Sequence, residues 1–191
     1  MVKAAAAAAA IVRGEIVAYP TETFYGLAVD AVDEGALARL CVLKGREAEK
    51  AFPLLVSGRE MLSSLCSEVS PLAERLMAQY WPGPLTLALP ARPGLPASIV
   101  ADGYVAVRVS SHALAQALVV ALGRPITATS ANPAGAPPSR TASEVAAYFA
   151  APICSILDGG ATPGGRPSTL ARVRGERVEI LRRGAVVLTG V

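Results

Sequence analysis

The chain has 191 residues, 52% hydrophobic and 17% charged, so it can bury a core and is not a disordered segment. Its net charge of +3 suits an anionic ligand but, without clustering, does not indicate nucleic-acid binding. Three cysteines, Cys41, Cys66 and Cys154, lie far apart with no CxxC spacing. This pattern argues against a disulfide framework or a zinc site and favours the reducing cytoplasm. No apolar stretch suits a membrane span, and we expect one domain over residues 1–191.

The first part of the chain combines an alanine-rich start with a short apolar run. The alanines predict a helix to about Arg13, because alanine is the best helix former. Residues 16–18 predict a buried strand that should end at Pro20, which cannot donate to a sheet ladder. The polar stretch that follows, residues 21–27, is either a ligand-binding loop at a strand end or the start of a helix. The residues alone favour neither alternative.

Caps and apolar runs mark the remaining elements. Further helices are predicted to begin at Asp33, Ser70, Ser111 and Thr141 and to end at Gly45, before Trp81, at Gly123 and near Ala150. Further strands are predicted at residues 53–56, 85–89, 104–109, 126–129, 153–157, 169–173 and 178–181. Helices and strands alternate, and several strands are close enough to pair antiparallel. We therefore expect an α/β fold with a twisted mixed parallel/antiparallel sheet and flanking helices.

Cationic and hydroxyl side chains recur at the ends of these elements. Arg108 lies late in an apolar strand, where a guanidinium has little structural purpose unless it meets an anion. Lys44 and Arg46 either complement a helix dipole or bind phosphates. Ser130 and Asn132 either form a turn or hydrogen-bond a ligand. Arginine forks, a lysine charge and directional hydroxyl or amide groups suit a ligand with several negative charges. No Ser–His–Asp, metal-ligand or Walker-type pattern is visible in the sequence.

Short motifs also follow one another in a recognisable order between about residues 14 and 187. They are Pro-Thr-Glu-Thr-Phe-Tyr-Gly-Leu at 20–27, Lys-Gly-Arg at 44–46, Pro-Leu-Leu-Val at 53–56, Trp-Pro-Gly-Pro-Leu-Thr-Leu at 81–87, Val-Ala-Val-Arg-Val at 105–109, Ser-Ala-Asn at 130–132, Asp-Gly-Gly at 158–160, Ser-Thr at 168–169 and Ile-Leu-Arg at 180–182. Any one motif is weak, but the ordered set is specific. Together they resemble the YrdC-type L-threonylcarbamoyladenylate synthases, in their single-domain form.

The resemblance implies a twisted sheet around a concave, positively charged cavity and a nucleotidyltransferase reaction. L-threonine, bicarbonate and ATP would give threonylcarbamoyl-AMP and pyrophosphate, with Mg²⁺ bound mainly through the ATP phosphates. Downstream tRNA threonylcarbamoyl transferase proteins would then modify the adenosine beside the anticodon, and direct tRNA contact is left open. Such chemistry depends on positioning and charge stabilisation, so it needs no covalent enzyme group.

The resemblance also implies roles for individual side chains. Lys44 and Arg46 would be the catalytic cations that neutralise the triphosphate. The residues that would bind L-threonine are Thr23, Arg108, Ser130 and Ser168. The residues that would bind ATP are Lys44, Arg46, Lys50, Tyr104, Asn132, Ser139 and Arg182.

Some positions depart from the family pattern. Many relatives have proline where Ser110 stands, a histidine or similar residue at Ser57, and proline at Arg183. One alternative function is a non-catalytic module that binds tRNA or double-stranded RNA through the basic concavity, although the few aromatic residues disfavour base stacking. Another is a related carbamoyl-adenylating activity, as in the YrdC-like domains of hydrogenase maturation proteins, which are much longer chains.

Overall fold

The structure is a computed structural model that describes residues 2–45, 51–149, 153 and 155–189. Its α-helices are α1 (Val2–Val12), α2 (Glu34–Lys44), α3 (Leu62–Leu65), α4 (Pro71–Tyr80), α5 (Ala113–Leu122) and α6 (Ala142–Phe149). Its strands are β1 (Val17–Pro20), β2 (Tyr25–Ala28), β3 (Leu54–Leu55), β4 (Leu85–Pro90), β5 (Val100–Ala101), β6 (Tyr104–Arg108), β7 (Ile126–Thr127), β8 (Thr129–Ser130), β9 (Ser155–Ile156), β10 (Thr169–Arg174) and β11 (Arg177–Arg182). Arg59–Met61 and Ala97–Ile99 form short 3₁₀-helices.

The described strands divide between two sheets rather than forming one. The first sheet has the order β8-β2-β1-β9, and the second has the order β11-β10-β4-β6-β3-β7, with β5 paired to β6. Strand pairs β1–β9, β10–β4 and β3–β6 are parallel, and the other pairs are antiparallel. The predicted mixed α/β fold is confirmed. That residues 1–191 form one domain stays a prediction.

The polar stretch after β1 begins with a tight turn and continues as a strand. Pro20 ends β1, as expected, but it remains in the ladder opposite Tyr25. The Thr21 hydroxyl accepts from the amides of Thr23 and Phe24 at 3.2 and 3.3 Å, so the turn satisfies its own backbone donors. Residues 21–24 therefore form a hairpin turn into β2, and the alternative of a helix start is wrong.

One segment crosses between the two sheets where a single strand was predicted. Ile126 and Thr127 pair with β3, whereas Thr129 and Ser130 pair with β2. The Thr127 hydroxyl donates to the Leu27 carbonyl at 2.8 Å and so ties the crossing to the first sheet. The crossing brings the polar turn of the first sheet beside the strands of the second.

The helices begin at the predicted N-cap residues, with one exception that is shifted by one residue. Asp33 accepts from the Ala36 amide at 2.9 Å, and Ser70 accepts from the Ala73 amide at 3.3 Å. The fifth helix begins one residue later than predicted, because His112 rather than Ser111 is its N-cap. Within the described part of the strand predicted at residues 153–157, Ser155 and Ile156 form β9, and Cys154 lies outside the described residues.

Two apolar clusters support this arrangement. The larger joins buried residues of α2 and α4 to both sheets, and the smaller packs the buried alanines of α1 against α5 and β1. The small alanine side chains allow α1 to lie closely against its neighbours. Among the helices of the described residues, none has the length and apolar character needed to cross a membrane.

Candidate functional site

A cavity of about 860 Å³ is lined by residues of both sheets. The β1–β2 turn, β8, β4, β6 and the β10–β11 pair all contribute to its wall. Its cationic lining residues are Lys44, Arg108, Arg140 and Arg182. Element ends that are distant in sequence therefore converge on one concave surface.

Most of the predicted site residues lie in or directly behind this wall. Those that line the cavity are Thr23, Lys44, Arg108, Ser130, Ser168 and Arg182. Ser139 supports the wall, since its hydroxyl donates to the Ala131 carbonyl and its own carbonyl accepts from the Tyr25 amide at 2.9 Å. Arg46 and Lys50 lie outside the described residues.

Tyr104 is not brought to this cavity. It lies at the other end of β6, opposite Pro90, whereas Arg108 lies opposite Leu55. Tyr104 and Arg108 are four positions apart in an extended strand, which separates them by about 13 Å. Its ring lies 4.9 Å from the guanidinium carbon of Arg172, in a separate groove of about 580 Å³. The structure therefore does not support its predicted place in the nucleotide pocket.

Arg108 is buried and held by a carboxylate from the β1–β2 turn. Its Nη1 donates to Glu22 Oε1, and the Ser110 hydroxyl donates to Glu22 Oε2. The side chains of Arg108 and Glu22 are only 7% and 14% exposed. Arg108 lines the cavity, so part of this guanidinium is already fixed in the wall.

Lys44 joins the end of α2 to the loop after β8. Its Nζ donates to the Ser130 carbonyl at 2.7 Å, to the Asn132 side-chain oxygen at 3.4 Å and to the Asn132 carbonyl. The Lys44 carbonyl in turn accepts from the Ala134 amide at 2.9 Å. Lys44 is therefore part of the loop's internal support as well as of the cavity wall.

Arg182, Ser168 and Thr86 form a hydrogen-bonded cluster in the part of the wall beside β10 and β11. Arg182 Nη2 donates to the Ser168 carbonyl at 2.9 Å and to its hydroxyl at 3.1 Å. The Ser168 hydroxyl also lies 2.9 Å from the Thr86 hydroxyl. Burial, and secondly the positive charge of Arg108, lower the pKa of Arg182 from its ordinary value. Both guanidiniums therefore place positive charge at the same cavity.

The profile of the Sua5/YciO/YrdC family, described as telomere recombination, matches residues 9–184. The chain belongs to the Sua5/YciO/YrdC family. This membership confirms the resemblance inferred from the ordered motifs.

Individual members of the Sua5/YciO/YrdC family are similar to this chain in sequence and in structure. The threonylcarbamoyl-AMP synthase of Pyrococcus abyssi is 40% identical over 95% of this chain, and that of Chromohalobacter salexigens is 39% identical over 93%. The crystal structure of P. abyssi Sua5 complexed with L-threonine superposes with a TM-score of 0.91 at 39% identity over 95% of this chain. The chain spans 54% of the P. abyssi protein and of that structure, but the alignment covers 95% of the C. salexigens protein.

Three polar wall residues of this Sua5/YciO/YrdC chain were given no binding role from the sequence. They are Thr21, Thr86 and Arg140. Thr86 lies within the Trp-Pro-Gly-Pro-Leu-Thr-Leu motif, and Arg140 follows a proline pair, so each had a weak local signal. The pairing of Glu22 with Arg108 had none, because it joins positions 86 residues apart.

Proposed function

We propose that this protein is an L-threonylcarbamoyladenylate synthase, which makes threonylcarbamoyl-AMP and pyrophosphate from L-threonine, bicarbonate and ATP. The proposal depends on one observation above others: among the described residues, side chains from both sheets meet around a cavity whose wall includes Lys44, Arg108, Arg140 and Arg182. Relatives named threonylcarbamoyl-AMP synthase, at about 40% identity, support the same reaction.

The amino acid would bind beside Arg108. A guanidinium fixed at one nitrogen still has donors in the arrangement that binds a carboxylate through two hydrogen bonds. Thr23, Ser130 and Ser168 would supply hydroxyls to the amine and side-chain hydroxyl of threonine. The L-threonine complex of P. abyssi Sua5 supports an amino-acid site of this kind.

The nucleotide would bind through the remaining cations. Lys44 and Arg182 line the cavity, Asn132 is bonded to Lys44, and Ser139 supports the adjacent loop. Arg46 would join them as the second cation of the Lys-Gly-Arg motif. Roles for Lys50 and Tyr104 in nucleotide binding are not part of this proposal.

Magnesium would enter with ATP as part of the substrate, held mainly by phosphate oxygens and water. Among the residues that the structure describes, no three His, Cys, Asp or Glu side chains lie close enough together to hold a metal ion. Because the phosphates can supply the oxygen ligands themselves, a wall of cations and hydroxyls is compatible with Mg-ATP.

The reaction would proceed in two bond-forming steps. The threonine amine attacks the carbon of carbon dioxide and loses a proton, or attacks the carbon of bicarbonate with loss of water, and in either case forms a carbamate. A carbamate oxygen then attacks the α-phosphorus of ATP, the bond from that phosphorus to the β-phosphate bridge breaks, and pyrophosphate leaves. Fixed cations would stabilise the negative charge that develops on the phosphates, which is typically a large contribution in such transfers.

The product would pass to tRNA threonylcarbamoyl transferase proteins, and we place this reaction in the cytoplasm. A module that only binds tRNA or double-stranded RNA is the rival proposal, and it is less well supported because the curated relatives are named as synthases. Direct tRNA contact by this chain would be additional to the synthase reaction.

The test mixes the protein with Mg-ATP and bicarbonate and compares pyrophosphate release with L-threonine, with L-serine and with no amino acid. We expect release that depends on an amino acid and is fastest with threonine. Tight RNA binding with a steep salt dependence, and no threonine-dependent pyrophosphate, would instead support the RNA-binding module.

A further inference from the structure

Glu22 bonds a residue of the cavity wall but does not itself line the cavity. Its two neighbours in the turn, Thr21 and Thr23, line the cavity, but Glu22 is not among the lining residues. One carboxylate oxygen accepts from Arg108 and the other accepts from Ser110. The carboxylate therefore bonds a cation of the wall without itself lining the cavity.

Ser110 connects Glu22 to the start of α5. The Ser110 side chain is fully buried, and its oxygen accepts from the His112 amide at 3.2 Å. The Ser110 carbonyl accepts from the Gln116 side chain at 2.9 Å. The position of the carboxylate is thus fixed by a helix terminus, and the position of the guanidinium is fixed by the carboxylate.

An unsupported arginine side chain adopts many rotamers, and ordering it on ligand binding costs entropy. The Glu22 contact removes much of that cost beforehand and leaves other guanidinium nitrogens available to the cavity. A carboxylate ligand would then meet a cation already held in place.

We propose that Glu22 is a positioning residue for the amino-acid carboxylate and acts through Arg108. This inference rests on the proposed function, because it assigns Arg108 to the carboxylate of L-threonine. It predicts a selective effect: loss of the Glu22 charge weakens binding of the amino acid and leaves binding of ATP unchanged.

A competing role would be that Glu22 occupies the carboxylate position until threonine arrives. In that case removal of the charge would tighten threonine binding, because the competitor would be gone. The absence of Glu22 from the lining of the described cavity favours positioning over competition. The two roles predict shifts of opposite sign in the KM for threonine.

The experiment compares Glu22→Gln with the wild-type enzyme in threonine-dependent pyrophosphate release. We expect the KM for L-threonine to rise about 10- to 100-fold, the range for loss of a charge-assisted hydrogen bond. The KM for ATP should stay within about twofold, because Arg108 and not the nucleotide cations is affected. Glu74→Gln is the matched control, since it makes the same chemical change in the exposed ion pair that Glu74 forms with Arg59.

A second variant, Ser110→Ala, frees the other Glu22 oxygen and should raise the KM for threonine by a smaller factor with the same selectivity. It also keeps the test decisive if Glu22→Gln does not fold. An unchanged or lower KM for threonine, or an equal rise in both KM values, would overturn the positioning role. If the wild-type protein shows no threonine-dependent pyrophosphate release, the proposed function itself fails, which is a different result.

Discussion

Replacement of Lys44 by methionine tests whether one side chain supports both the fold and the site. Methionine keeps most of the length of the lysine side chain but removes the hydrogen bonds to the Ser130 and Asn132 carbonyls and to the Asn132 side chain. The Ser130 carbonyl still accepts from the Asn132 amide at 3.0 Å. The Asn132 carbonyl, in contrast, loses its Lys44 donor. The lost hydrogen bonds of the charged amine and the unpaired Asn132 carbonyl both lower the free energy of unfolding. Because the variant no longer buries a charge, part of this loss is offset, and the net loss is about 2–4 kcal/mol.

This cost should appear in two measurements. For a chain of this length, a loss of 2–4 kcal/mol lowers Tm by about 4–16 °C, which circular dichroism during heating would detect. In the pyrophosphate assay, loss of a preorganised cation should lower kcat/KM by about 30- to 900-fold, the equivalent of 2–4 kcal/mol. Activity must be measured well below the Tm of the variant, so that unfolding does not contribute to the loss.

Lys3→Met is the matched control, because Lys3 is exposed on α1 and the chemical change is the same. We expect it to alter stability by no more than about 0.5 kcal/mol and to leave activity unchanged. If Lys44→Met had the same Tm as the wild-type protein and retained full pyrophosphate release, both the structural and the catalytic assignment of Lys44 would be refuted.

Three further predictions follow from individual positions. Arg46→Ala should lower kcat/KM for pyrophosphate release by about 30- to 900-fold, and full activity would remove Arg46 from the site. In Gly184→Ala the new Cβ would overlap the Pro167 carbonyl oxygen and would lie 2.5 Å from the Ser168 carbonyl carbon. That variant should lose about 1–3 kcal/mol in denaturant unfolding, and a stability equal to wild type would contradict the clash. Burial lowers the pKa of His112 from its ordinary value, and Glu22 opposes this shift. The unfolded state then binds more protons just below pH 6.5, so stability should fall as pH falls through this range, and less so in His112→Asn. Equal urea midpoints for wild type at pH 8 and pH 5 would contradict that sign.

Local sequence determined the elements whose chemistry is complete within a few residues. Asp33 and Ser70 cap their helices as predicted, because an N-cap bond closes within three residues of the chain. The short apolar runs became strands for a similar reason, since a run of β-favouring apolar residues suits a buried pleated strand. Ordered motifs also identified the family and most of the cavity wall.

Local sequence did not determine how those elements divide and face one another. Residues 126–130 are a continuous run of apolar and hydroxyl residues, yet one half pairs with β3 and the other with β2. Tyr104 and Arg108 lie on one strand, but their separation along β6 places only Arg108 at the cavity. Pattern alone could not distinguish these outcomes, because strand partners are chosen by packing across the whole sheet.

The sequence by itself determined the fold class, the caps and the family to which the chain belongs. Only the tertiary structure decided which side chains meet, above all the contact of Glu22 with Arg108 and of Lys44 with the loop after β8. The physical reason is one of range: propensities and caps act between near neighbours in the chain, whereas a buried ion pair forms between side chains that the packing of two sheets brings together.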